Sequence, residues 1–310
     1  MSANWKPIVV VGSINIDLVA NAPRIPTEGE TIQGSHFEVH PGGKGANQAV
    51  AAARLGYPVR MIGRVGEDAF GLQLLNGLQS AGVDVAGVAV SPGSSGVAVI
   101  VVAENGENSI VIAPAANDLV TADYLDANID ILKSAGIVLT QLEIPIETVT
   151  HLAQICAREG LPLVLDPAPA RELPADLLKQ IAWFTPNETE AAFFLKNNGI
   201  EDPASIAQRL LGRGIGGVVL KLGSRGAFVA SANGLAESVK AYPVKAIDTT
   251  AAGDCFNGAF AVGLSTGMGP AESAGFAAAA AAISVTRAGA QSSMPTLTEV
   301  NQLTNRSYMI

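Results

Sequence analysis

What most constrains the fold of this chain is an alternation of two sequence periods. Short runs rich in Val, Ile and Leu end at turn residues, and Ala- and Leu-rich stretches with helical spacing separate them. Residues 8–11 run into Gly12-Ser13 and predict a buried strand; 59–65, 137–141, 163–166, 183–185 and 218–222 predict further ones. Residues 45–55 (closed by Gly56), 69–80, 146–158, 175–180, 188–195 and 204–211 predict the intervening helices. Strands that are apolar along their whole length need cover on both faces. The expected fold class is therefore α/β, a three-layer α/β/α arrangement with a mostly parallel central sheet. The apolar run 276–285 is far too short to span a bilayer and reads as a buried helix. Residues 301–310 carry no strong signal.

Two stretches break the alternation. Residues 18–39 hold Pro23, Pro26, Gly29 and Gly34 among short extended pieces, and 83–112 hold strand-like runs joined by Gly-Glu-Asn turns. Both predict antiparallel strands outside the main sheet. The whole chain, 1–310, reads as one domain with a small β-sheet lid built from these insertions, unless they are edge hairpins without a role. Unpaired lid strands also invite a second copy, which makes a homodimer the expected assembly.

Composition narrows the function classes. A formal net charge of -9 argues against broad binding to nucleic acid or an anionic membrane, while leaving room for a nucleotide held locally. Two cysteines without metal-ligand spacing point to a reducing cytoplasm rather than a disulfide framework. No secretory signal is expected: residues 1–7 are polar, and 8–11 are too short for the apolar core of one.

Chemistry concentrates in five places. Asp248-Thr249-Thr250-Ala251-Ala252-Gly253-Asp254 runs small residues into the first turn of a helix, where unpartnered N–H groups and the dipole favour an anion. A carboxylate there is either an ordinary cap or a proton acceptor beside a bound phosphoryl group. Pro41-Gly42-Gly43-Lys44-Gly45-Ala46-Asn47 lacks the Ser or Thr after Lys and the earlier Gly of a P-loop, since Gly45 and Glu38 stand there. It is a Gly-rich turn into a helix, or a backbone cradle with Lys44 and Asn47 as polar contacts. Gly12-Ser13-Ile14-Asn15-Ile16-Asp17 lacks a dinucleotide fingerprint, which disfavours a Rossmann oxidoreductase. Asn15 and Asp17, two apart, suit either a polyhydroxylated ligand or an Asx turn. Asn187 can cap a helix, and Glu190 on the same face can orient waters around Mg²⁺. Lys221-Leu222-Gly223-Ser224-Arg225-Gly226 is either a hairpin turn or a phosphate contact.

Taken in this order, with Gln141-Leu142-Glu143 between them, these segments resemble the ribokinase-like (PfkB) carbohydrate kinase family over nearly the whole chain. The resemblance implies ATP-dependent phosphorylation of D-ribose at O5. It implies Asp254 as general base, with Ala251, Ala252, Gly253 and the Asp254 N–H as anion hole. Asn15, Asp17, Gly43, Lys44, Gly45, Asn47 and Glu143 are implied around the sugar. Asn187, Lys221, Leu222, Gly223, Ser224, Arg225, Gly226 and Gly253 are implied on the nucleotide side, with Glu190 acting on Mg²⁺ through water. A potassium site is implied at Asp248, Thr250, Ser284, Arg287, Gly289 and Ser293, mostly through backbone carbonyls. Two departures stand out: Ala278 replaces a His that some relatives carry near the adenine, and Lys221 stands where some have Thr. The competing readings are a family kinase for deoxyribose, fructose, a deoxy-sugar acid or a nucleoside, and a sugar-binding homologue without turnover.

Overall fold

The computed structural model describes residues 5–196 and 202–310. Its main sheet has nine strands: β1 (Ile8–Val11), β4 (Val59–Gly66), β5 (Val83–Ser91), β8 (Ile137–Thr140), β9 (Leu163–Leu165), β10 (Trp183–Phe184), β11 (Gly217–Lys221), β12 (Ala227–Ser231) and β13 (Ala236–Val239). Their spatial order is β13-β12-β11-β10-β9-β8-β1-β4-β5, parallel from β11 to β5, with β12 and β13 as an antiparallel edge. A second sheet, ordered β3-β2-β6-β7, joins β2 (Asn15–Ala22), β3 (His36–Gly42), β6 (Gly96–Ala103) and β7 (Asn108–Ala113). The α/β expectation with a small extra sheet is borne out.

Successive side chains of a strand point to opposite faces. Ile8 and Val10 enter one core, while Val9 and Val11 enter the other. The first core is roofed by α1 (Lys44–Arg54), α2 (Ala69–Ser80), α9 (Ala252–Ser265), α10 (Pro270–Ser284) and α11 (Leu297–Thr304). The second is covered by α3 (Ala122–Ala127), α4 (Ile129–Lys133), α5 (Ile146–Glu159), α6 (Ala175–Leu178), α7 (Glu188–Leu195) and α8 (Pro203–Leu211). Residues 276–285 fall almost wholly in α10, as expected of a buried helix.

Three expectations are corrected. Residues 83–91 form β5, the outer parallel strand of the main sheet, so they lie outside the small one. As an edge strand, β5 buries only part of its length, and its mixed burial imitates an isolated antiparallel strand. Within the small sheet, β2 pairs antiparallel with β3 but parallel with β6. The weak signal after residue 300 conceals the end of α11, which a capping box between Thr296 and Glu299 starts.

Chain direction fixes where a ligand can sit. From β1 the chain passes to β4 on one side and later to β8 on the other. Open α/β sheets bind ligands outside the carboxyl ends of their strands, at such a reversal. Gly12-Ser13 follows β1 and Glu143 follows β8, and they meet there: Ser13 Oγ donates to Glu143 Oε2 at 2.5 Å.

Candidate active site

Three glycines let the chain close over this crevice. Gly43 has φ 85, and a Cβ on it would lie 2.6 Å from the Asn15 nitrogen. A Cβ on Gly42 would lie 2.2 Å from the Asp17 carboxylate, and one on Gly45 2.7 Å from the Gly12 carbonyl carbon. The glycine turn therefore serves close packing of β2 against the start of α1. Glu143 ties the layers together by also accepting from the Lys44 backbone N–H at 3.1 Å.

Asn15 is buried and accepts from Asn117 Nδ2 at 2.6 Å, while Asn117 Oδ1 receives the Ile14 N–H at 2.9 Å. The Asn15 amide is thus oriented with Nδ2 free to donate to a ligand oxygen. Asp17 follows on the same face of β2, and its carboxyl is pushed up to about 6. Burial is the main cause, and the Glu143 and Asp254 carboxylates add to it against His40 and Lys44. Lys44 makes no ion pair within 4 Å among the described residues. Burial pulls its pKa down, but the facing carboxylates of Asp254, Asp166, Glu143 and Glu190 outweigh burial and hold the ammonium firmly charged.

Asp254 lies in the first turn of α9, 4% exposed. Asn47 Nδ2 donates to its Oδ2 and Gln48 Nε2 to its Oδ1, each at 3.0 Å. Its side chain does not cap the helix, so the first of the two sequence readings is removed. Burial raises its pKa, Lys44 opposes that, and the nearby Asp166 adds to it. Ala251 before it adopts φ 56, a left-handed conformation that costs a non-Gly residue about 1–2 kcal/mol. The Ala252 N–H turns back to Thr249 O at 3.2 Å. Among the described residues the Gly253 and Asp254 N–H groups have no hydrogen-bond partner and are left to an anion.

A cavity of about 360 Å³ opens beside this turn. Lys221, Gly223, Ser224, Gly226 and Gly253 line it, together with the apolar Phe256 and Ala278. Leu222 and Arg225 do not line it: Leu222 packs on the second core, and Arg225 pairs with Glu188 at the surface. Lys221 reaches inward, donating to buried Asp166 at 3.0 Å. Asn187 bridges to Lys221 along the sheet and caps α7, so the helix-cap reading of Asn187 holds. Glu190 completes that capping box, receiving the Asn187 N–H at 2.7 Å and its side-chain amide at 3.0 Å.

The loop after residue 246 rests on the end of α10. Asp248 accepts the Thr250 and Gly289 N–H groups, each at 2.8 Å; burial opposes ionisation, but these donors hold its pKa below the usual range. Ser284 and Ser293 hydroxyls bond carbonyls within their own turns, and Arg287 pairs with Glu299. Sequence reasoning left out Ser13, Gln48, Asn117, Gln141 and Asp166. Ser13 and Gln141 lay inside quoted motifs, Gln48 directly after one and Asp166 at the end of a predicted strand, while Asn117 stood near no signal.

The model for "pfkB family carbohydrate kinase" matches residues 6–297. The chain belongs to the pfkB family of carbohydrate kinases. Within that family it is 44% identical to ribokinase of Schizosaccharomyces pombe, over 95% of this chain and 96% of that protein. It is 41% identical to ribokinase of Bacillus subtilis, over 96% and 99% respectively. Among solved structures, Arabidopsis thaliana ribokinase complexed with ribose and ATP superposes with a TM-score of 0.91 at 35% identity, covering 98% of this chain and all of that one. The resemblance drawn from the motifs is borne out.

Proposed function

We propose that the protein transfers the γ-phosphoryl group of ATP to O5 of D-ribose, giving D-ribose 5-phosphate and ADP. The observation that carries this reading is Asp254. It is a buried carboxylate with both oxygens held by amides, one residue from open backbone N–H groups and next to a cavity of nucleotide dimensions. The two similar proteins named as ribokinases, and the solved ribokinase complex with ribose and ATP, support the choice of sugar and nucleotide.

Asn15 Nδ2, the Asp17 carboxylate and Glu143 hold the sugar hydroxyls and bring the terminal alcohol to Asp254. Asp254 accepts that proton as the new O–P bond forms, and ADP leaves in line with the attacking oxygen. The Gly253 and Asp254 N–H groups and Lys44 offset charge on the migrating group. Lys221, Gly223, Ser224 and Gly226 contact the nucleotide from the cavity side. The small sheet acts as a lid that excludes water, a competing acceptor.

Glu190 has a carboxylate fixed through Asn187, with lone pairs left over, near Asp166; such oxygen donors fit Mg²⁺ held through water. When bound, that ion neutralises phosphate charge. Asp248, with the carbonyls around Thr250, Ser284, Arg287, Gly289 and Ser293, is a hard-oxygen set that fits K⁺, whose contribution is to order the loop ahead of Ala251. The face of the lid carrying Phe37, Val39, Val99 and Val111 is apolar and exposed, which supports a homodimer through that sheet. Both cysteines are buried and unpaired, consistent with a cytoplasmic protein. Among the described residues no helix is long and apolar enough to cross a membrane.

The test is ADP formation from ATP across a panel of ribose, deoxyribose, fructose and nucleosides, with the product sugar located by phosphorus-coupled NMR. Ribose-dependent ADP with phosphate on O5 is expected. Preference for another acceptor assigns the site to a sister activity, and no acceptor-dependent ADP leaves a binding protein.

A further inference from the structure

Gln48, fully buried on α1, has both side-chain N–H groups committed to two different carboxylates. Its Nε2 donates to Asp254 Oδ1 at 3.0 Å and to Asp166 Oδ2 at 2.9 Å. Its Oε1 is fixed in turn by Gln141 Nε2 at 2.6 Å. The other Asp166 oxygen receives Lys221 Nζ at 3.0 Å, and Lys221 Nζ lies 3.4 Å from where a Cβ on Gly253 would stand. A continuous polar chain therefore runs from the base to the edge of the anion hole. Two carboxylates sharing one amide repel each other, and the Asp166 charge disfavours ionisation of Asp254. An amide that gives one N–H to each of them fixes their separation and holds the Asp254 plane.

We infer that Gln48 is a positioning residue, which orients Asp254 and couples it to the Asp166–Lys221 ion pair beside the phosphoryl site. The inference rests on Asp254 being the base. The charged groups facing Asp254 are Lys44 at the start of α1, Asp166 after β9 and Asp17 on β2. Donation from Gln48 favours the ionised form of Asp254, and the Asp166 charge disfavours it. Removing the first raises the pKa at which the base is lost; removing the second lowers it.

The experiment measures kcat, both KM values and the acid limb of kcat against pH for Gln48→Met, Gln48→Asn and Asp166→Asn, each normalised to folded protein. Gln48→Asn keeps an amide but is one methylene too short to reach both carboxylates, and it decides the question should the Met variant not fold. For the Gln48 variants kcat is expected to fall about 10–100-fold with KM values within about threefold, the scale of lost outer-shell partners. Their acid limb is expected to move up by about half a pH unit or more, and that of Asp166→Asn to move down. Unchanged kcat, or a loss with no movement of the limb, overturns the inference. Asp254→Asn is the control. If it is impaired while the Gln48 variants are normal, only this inference fails; if it turns over normally, the proposed function fails with it.

Discussion

Asp17 is the side chain whose environment makes the sharpest demand on solution behaviour. Its carboxyl, pushed up to about 6 mainly by burial and then by Glu143, is ionised above that value and protonated below it. In the proposed pocket a sugar hydroxyl donates to the ionised form, so binding is expected to weaken as pH falls through about 6. The KM for ribose at saturating ATP is expected to rise by up to about tenfold per pH unit on the acid side, while Asp17→Asn gives a raised and flat KM. A wild-type KM that stays flat across that range contradicts the placement of Asp17 in the sugar pocket. Single residues were also where the sequence was hardest to read. Asp17, Lys44 and Asp254 sit in motifs with visible backbone logic. Asp166 acts through Gln48 and Lys221, 118 and 55 residues away, and Asn117 through Asn15 and Ile14, 102 and 103 residues away, which local spacing cannot reveal.

At the scale of elements, the crossing of α1 over α9 sets the geometry around Asp254, the proposed base. Gly258 lies at that crossing: a Cβ there would stand 2.6 Å from Gln48 O and 2.8 Å from Ala51 Cβ. The absence of a side chain lets the helices approach closely enough for Gln48 and Asn47 on α1 to reach Asp254 on α9. Gly258→Val is expected to destabilise the protein by about 1–3 kcal/mol, the usual cost of overpacking, and to lower kcat as the amides are pushed off the carboxylate. A lower urea midpoint at unchanged m-value, together with reduced turnover, is the expected result. Wild-type stability and turnover would show that the contact has no such role. Most elements were legible because fully buried strands and amphipathic helices carry distinct periods. β5 was misassigned because an edge strand is half solvated, and α11 was missed because its start is set by a cap rather than an apolar stripe.

The whole molecule is two sheets, to which the proposed function gives different tasks: the large one presents strand ends to the ligands, and the small one carries Asn15 and Asp17 on one face and apolar side chains on the other. Phe37, Val39, Val99 and Val111 are 59%, 37%, 47% and 66% exposed on that outer face. Phe37→Asp combined with Val99→Asp is expected to convert the proposed dimer to a monomer in light scattering. A wild-type protein that is already monomeric at micromolar concentration contradicts the dimer. Potassium in place of sodium or a large organic cation is expected to raise turnover, and equal rates in all three remove the cation from the account. The most direct test of the central claim is ribose-dependent ADP formation by folded Asp254→Asn. A loss of roughly 10²–10⁴ in kcat with ribose and ATP still bound is expected, the usual scale for a positioned base; turnover near that of the unaltered protein would contradict the assignment of Asp254.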